Sequence, residues 1–182
     1  MYTYHIMIFW KRFFTESSNL HIKYLYNTQS DQLLIQRLPY KNTITNIYFN
    51  TSKQVSLIEL EKLCDSVGWV RRPVSKVKLA IQNSMLVITL FWKSKHYKYL
   101  IGFARVTSDC AFNATIWDVV IHPHFQGHGL GSALMHQLIK KLRTYNINTI
   151  TLFADPQVVL FYQKLGFTNE PDGVKGMFWY PQ

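Results

Sequence analysis

The chain has 182 residues, enough for one packed domain and short for two. Hydrophobic residues make up 48% and charged residues 16%, which excludes a disordered chain, and no apolar run approaches a membrane-spanning length, so no membrane partner is expected. The formal charge of +10 is lopsided, with 14 Lys and Arg against 5 acids in residues 1–100 and 6 against 5 in residues 101–182; the half that holds the motifs below is nearly neutral, so no nucleic-acid partner is expected.

In chain order, residues 1–42 are the least regular and read as an N-terminal extension to a domain over 43–182. TITNIYFN (43–50) alternates like a strand. SLIELEKLCDSVGW (56–69) sets Leu57, Leu60 and Leu63 or Cys64 on one helical face and ends at Gly68. Pro73 suits the first position of a second helix, and the neighbouring Arg71, Arg72, Lys76 and Lys78 read as a solvated helix face. SMLVITLFW and KYLIGFARVTS predict a hairpin around the polar KSKHY, and ATIWDVVIHP predicts a third strand stopped by Pro123. Leu130, Leu134, Leu138 and Leu142 recur every four residues in a third helix to about Thr144. NTITLFA reads as a strand. Asp155 as N-cap, Pro156 and a terminal Gly166 bracket a short helix, and GMFWY reads as a final strand.

The segment HPHFQGHGLGSALMHQL (122–138) places Gly127, Gly129 and Gly131 where the third strand meets the third helix. Unpaired N–H groups and the helix dipole favour an anion there, and missing side chains let a phosphate reach the backbone. A tight turn with no ligand is the alternative reading of the same glycines. A P-loop requires Lys after its last glycine and a dinucleotide fingerprint requires Gly at 132; Ser132 and Ala133 stand there instead.

Gln-x-x-Gly-x-Gly between VVIHP and a leucine-striped helix resembles the coenzyme A pyrophosphate loop of the GNAT superfamily of N-acetyltransferases, and LFADPQVVLFYQKLGF resembles the family's second cofactor motif. GFARVTSDCAFNATIWDV, ITLFAD and GVKGMFWYP are similar to the plastid branch, which includes chloroplast serotonin N-acetyltransferases that also acetylate protein amines, and acetyltransferases encoded in algal plastid genomes. The resemblance covers roughly residues 44–180. It implies an α/β fold with a mixed, mainly antiparallel central sheet, splayed central strands and about four flanking helices. It further implies an acetyltransferase using acetyl-CoA as co-substrate. Location in the plastid stroma fits the composition: Phe, Tyr, Ile, Asn and Lys, the residues of A+T-rich codons, make up 62 of 182. The opening MYTYHIMIFWKRFF has neither secretory nor transit-peptide character, which suits a protein encoded in the plastid. Two cysteines, Cys64 and Cys110, suit a reducing compartment.

Acetyl transfer from a thioester to an amine needs a neutral nitrogen, a stabilised oxyanion and a proton for the departing thiolate. The resemblance places a bulge in IWDVVI, with backbone groups of Val119, Val120 and Ile121 along the pantetheine arm. It places Gln126, Gly127, His128, Gly129, Leu130, Gly131 and Ser132 around the pyrophosphate. Tyr162 matches the family's general acid, and a phenol with an ordinary pKa of about 10 keeps its proton at neutral pH; a core tyrosine is the alternative. Asp118 beside Trp117 is the candidate base, on the expectation that partial burial raises its pKa. Asp155 reads as an N-cap that also reaches cofactor or substrate.

His122, His124, His128 and His136 lie close in sequence without a Cys or paired carboxylate to complete a tetrahedral set, so no metal is expected. Cys110 lacks a recognisable basic partner and reads as inert. Two acceptors stay open. A small arylalkylamine such as serotonin calls for a closed aromatic pocket with Trp117, Asp118 and Asp155, to which Phe103, Phe112, Phe178 and Trp179 are further candidates. A protein lysine or N-terminus calls for an open groove past the two early helices. The basic charge of those helices tilts the expectation to the small amine, in a monomer or homodimer. A non-catalytic acyl-CoA-binding module is the reading from another class.

Overall fold

A computed structural model describes residues 30–40, 43–94 and 97–181. They form two compact units, one ending at Leu152 and one beginning at Phe153, where length alone leads one to expect a single unit.

The first unit is a six-stranded sheet in the order β1 (Gln32–Tyr40), β2 (Thr43–Asn50), β3 (Leu86–Lys93), β4 (Lys98–Ser108), β5 (Asn113–Ile121) and β6 (Thr149–Leu152). All neighbours pair antiparallel except β5 and β6, which are parallel. The mixed, mainly antiparallel sheet is therefore the one expected. One boundary needs correction: Gln32–Tyr40, placed in the extension by sequence, is the edge strand of the sheet. Its register shifts between Leu33 and Leu38, Arg37 has a φ of 58°, and Pro39 lies near its end. Those features break the alternation by which a strand is recognised. Residues 1–29 lie outside the described residues.

Helix α1 (Leu57–Ser66) starts at Ser56, whose side chain accepts from the Glu59 amide, and is followed by Gly68 at a φ of 77°. Helix α2 (Val74–Asn83) begins one residue later than expected, with Pro73 at the N-cap. Leu60, Leu63 and Ile81 of these helices pack with Val87, Phe103 and Val120 of the sheet. Helix α3 (Leu130–Thr144) buries Leu130, Leu134, Met135, Leu138 and Leu142 and lies against β3, β4 and β5. Each such side chain contributes about 1.5–3 kcal/mol. Gly102 lets the β4 backbone come close to its neighbours, since a Cβ there would sit 2.9 Å from Ile121 and 3.0 Å from Leu90 side-chain atoms.

The second unit holds a 3₁₀ turn (Pro156–Val158), helix α4 (Val159–Lys164) and a stop at Gly166, φ 91°. It makes four α-helices among the described residues. The predicted C-terminal strand does not form: residues 174–181 carry no strand pairing among the described residues, and Met177 and Trp179 are 95% and 83% exposed. Strand propensity reflects fit to a half-buried pleated surface, which such exposed side chains do not have.

Candidate active site

Three pieces of the sheet unit converge on the end of β5. After Ile121, His122 caps a 3₁₀ turn over Pro123–Phe125, and the chain enters the glycine loop. Gly127 and Gly129 both have φ of 77°, and a Cβ at either would meet nothing within 4 Å. Glycine is required there by backbone conformation, and the space beside it is open. Gly129 is also the N-cap of α3 and offers no side-chain hydrogen bond to its first turn. The amides of Leu130, Gly131 and Ser132 are thus left for an external acceptor, while Ala133 donates to the Gly129 carbonyl at 3.0 Å.

Gln126 behaves differently from expectation. Its side-chain Nε2 donates to the Ile121 carbonyl at 2.9 Å, tying the loop to the strand end. Its side chain is therefore a brace for the loop, whereas His128 is exposed. Below the loop, Phe125 stacks on Tyr40 of β1 at 4.4 Å between ring centroids, and Trp92 joins both.

The bulge falls in the strand where the family resemblance implied it. Phe103 pairs with Val120 and Arg105 with Trp117, so Asp118 and Val119 together oppose Ala104. Asp118 carries the strained conformation, φ 55°. The His122 amide donates to Ile101 of β4 at 2.8 Å, so alternation turns the amides of Val119 and Ile121 away from β4 and that of Val120 toward it. On the other side, β6 pairs only with Asn113–Ile116 and ends at Leu152. Asp118–Ile121 thus have no strand beside them on that side among the described residues, which is the splay expected of the sheet.

Asp118 sits in surroundings other than those expected. Arg72 Nη1 donates to its Oδ1 at 2.9 Å, and Arg105 Nε donates to its Oδ2 at 2.5 Å. Both oxygens are engaged in ion pairs, which leaves the carboxylate poorly placed to serve as a free base. Trp117 is 36% exposed beside it, with Nε1 donating to Thr107 Oγ1 at 2.9 Å and the Arg105 guanidinium 5.9 Å from its ring. Phe103 lies in the core, and Phe112, just before β5, is 49% exposed. The sheet unit has an open cleft of about 390 Å3, solvent included, between α1 and α2.

In the second unit Tyr162 is buried, its ring 5.0 Å from Phe161 and 6.0 Å from Phe167. Burial pushes its hydroxyl pKa above 10, and the negative charge of Asp155 adds to the effect. Asp155 stands at the N-cap but makes no side-chain capping bond. Burial, then His124, holds His122 below the ordinary imidazole value. Among the described residues no three His, Cys, Asp or Glu side chains group as metal ligands. Burial pushes the Cys64 thiol up, partly offset by Arg72, and Cys110 is exposed.

The acetyltransferase (GNAT) family model matches residues 55–167. The chain belongs to the GNAT acetyltransferase family. The uncharacterized N-acetyltransferase ycf52 of Gracilaria tenuistipitata var. liui is 59% identical over 181 residues, covering 97% of this chain and 100% of the relative. Histone acetyltransferase TAP1 of Glycine max is 49% identical over 83% of this chain and 68% of its own length. The chloroplastic GCN5-related N-acetyltransferase 2 of Arabidopsis thaliana is 44% identical, over 82% and 64% respectively. A GNAT family acetyltransferase from Streptococcus pneumoniae shares the fold at a TM-score of 0.63 and 21% identity, over 75% of this chain and 98% of that one. This GNAT protein is thus an N-acetyltransferase of the plastid branch, located in the plastid.

Within the GNAT domain, sequence reasoning missed Arg72 and Arg105. Arg72 is not on a helix at all: it lies in the connection Val67–Pro73 and pairs with a carboxylate 46 residues away. Nothing local in RR signals that partner. Arg105 was more accessible, because the hairpin register sets it opposite Trp117, next to Asp118.

Proposed function

We propose that this enzyme transfers the acetyl group of acetyl-CoA directly to an amine of a peptide or protein. The observation that carries the reading is the pairing of an uncapped α3 terminus, opened by left-handed Gly127 and Gly129, with the stretch Asp118–Ile121 of the bulged strand β5, which β6 does not reach among the described residues. The open space beside those glycines, which a Cβ would fill, fits a diphosphate on the amides of Gly129–Ser132. The Val119 and Ile121 amides, turned away from β4, suit the amide-bearing pantetheine arm. Bound acetyl-CoA supplies a thioester.

The residues then act as follows. A backbone N–H of the bulge donates to the thioester oxygen as negative charge develops on it. The neutral amine nitrogen forms the new bond to the acetyl carbon, the carbon–sulfur bond breaks, and Tyr162 gives its hydroxyl proton to the thiolate. Its raised pKa keeps that proton in place at neutral pH. Asp155 strengthens the hold. Because Arg72 and Arg105 occupy Asp118, the amine proton passes to water, and Tyr162 is reprotonated from solvent.

The open cleft between α1 and α2 favours a polypeptide acceptor, and a soybean relative carries the name histone acetyltransferase. The exposed Trp117 beside the bulge supports the second reading, an arylalkylamine such as serotonin stacked on its ring. Thiol release from acetyl-CoA, followed with lysine peptides, N-terminal peptides and arylalkylamines, separates the two. Faster turnover, per kcat/KM, on peptides supports the first reading and faster turnover on arylalkylamines the second. Calorimetry that detects no acetyl-CoA binding overturns both, and binding without thiol release to any amine points to a non-catalytic acyl-CoA module.

A further inference from the structure

The ion-pair cluster on Asp118 joins two elements far apart in sequence. One is the bulge, where a non-glycine residue is held at φ 55°. The other is the α1–α2 connection, Val67–Pro73. Its first half is fixed by backbone bonds: Gly68 and Trp69 donate to the Asp65 and Cys64 carbonyls. Its second half is tied to α1 through side chains: Arg71 pairs with Asp65 at 2.6 Å, and Arg72 hydrogen-bonds Cys64. Among the described residues Val70, Arg71 and Arg72 form no backbone hydrogen bonds, and Val70 is 88% exposed.

The two cations on Asp118 are not equivalent. Arg105 is 14% exposed and rises from β4, a rigid neighbour in the sheet, whereas Arg72 is 41% exposed and rides on the connection. Arg105 is the fixed partner and Arg72 the releasable one, since an ion pair with a solvated member is screened and weak enough to open. Arg72, Val70 and Cys64 also line the cleft between α1 and α2.

We propose that Arg72 is a positioning residue, whose ion pair with Asp118 latches the α1–α2 connection onto the bulge and sets the width of the cleft that receives the acceptor. This rests on the proposed function, in which that cleft takes the acceptor. Steady-state kinetics with a lysine peptide, and calorimetry with acetyl-CoA, test it on the full chain. Arg72→Ala is expected to raise the acceptor KM about 5–10-fold, with kcat and acetyl-CoA affinity within twofold, and Arg72→Lys is expected to restore part of the loss. Asp118→Asn, which tolerates the left-handed backbone, is expected to raise the acceptor KM in wild type but to add little on top of Arg72→Ala. The wild-type acceptor KM is also expected to rise between 0.05 and 0.5 M salt, on the order of the Arg72→Ala value. The latch is overturned by an acceptor KM unmoved in Arg72→Ala, by additive effects of the two substitutions, or by acceptor and acetyl-CoA affinities falling by the same factor. Should Arg72→Ala fail to fold, a salt-independent wild-type KM overturns it equally. A wild type that does not bind acetyl-CoA, or that binds it and acetylates no peptide, marks instead a failure of the proposed function.

Discussion

Gly129→Ala separates the cost of a backbone conformation from the value of the loop as a ligand cradle. Gly129 has φ 77°, and a Cβ there meets nothing within 4 Å, so the folding penalty is conformational alone. A left-handed L-residue costs about 1–2 kcal/mol, and for a domain of this size each kcal/mol lowers the melting temperature by roughly 2–4 °C. A fall of roughly 2–8 °C is expected. The new methyl, however, enters the space proposed for the diphosphate and tilts amides that each donate a charge-assisted hydrogen bond worth about 1.5–3 kcal/mol. Weakening even one raises the acetyl-CoA Kd about tenfold or more. Gly68→Ala is the control: it has the same φ of 77° and the same open surroundings at the end of α1, so it is expected to match the thermal loss and leave Kd alone. Thermal melts and isothermal calorimetry on the two variants decide the matter. If both lower the melting temperature and neither changes Kd, the loop does not hold the diphosphate.

Three further outcomes are expected. Tyr162→Phe lowers kcat about 100-fold or more with acetyl-CoA Kd unchanged, read by stopped assays of thiol release and calorimetry; because the folded hydroxyl titrates above 10, the wild-type alkaline limb assigned to it lies above pH 10. Burial raises the Asp31 carboxyl, but hydrogen bonds from Lys98, Lys93 and Asn50 outweigh it and hold it at about 2 against 3.8. The folded pKa being the lower one, this stabilises the fold by about 1–2 kcal/mol after allowance for screening, fully present above about pH 5 and lost as pH falls toward 2. Urea melts across that window show a slope that Asp31→Asn flattens. Tyr40→Ala removes the stack on Phe125 beneath the glycine loop, costing about 2 kcal/mol, or roughly 4–8 °C in a thermal melt, and weakens acetyl-CoA binding severalfold.

Much of this was legible in the sequence because local chemistry and global fold agree. The leucine spacing of α1 and α3, Pro123 after β5 and the paired glycines each act within a few residues, and each appears where it was read. The bulge was legible only through family resemblance. The rest depends on partners distant in sequence. The strand β1 was hidden by Arg37 and Pro39, and its place is fixed by β2 and by the Tyr40 stack on Phe125. Asp118 was read as a half-buried acid because nothing nearby in sequence announces Arg72, 46 residues before it. The tail GMFWY shows the opposite failure, in which strand-forming residues suffice for a prediction but not for a strand.

The bulge in β5 adds a residue that the sheet could do without. With Val119 deleted, Trp117 and Val120 would stand two apart, still opposite Arg105 and Phe103, and β4 could zip to β5 along its whole length. Every inward-facing side chain would keep its side, and the left-handed strain at residue 118 would vanish. Such a shortened protein would be the sturdier one. On the proposed mechanism it would also be inert, since the strand would no longer bend out to present its amides; an irregular strand persists here against a simpler and firmer alternative one codon away.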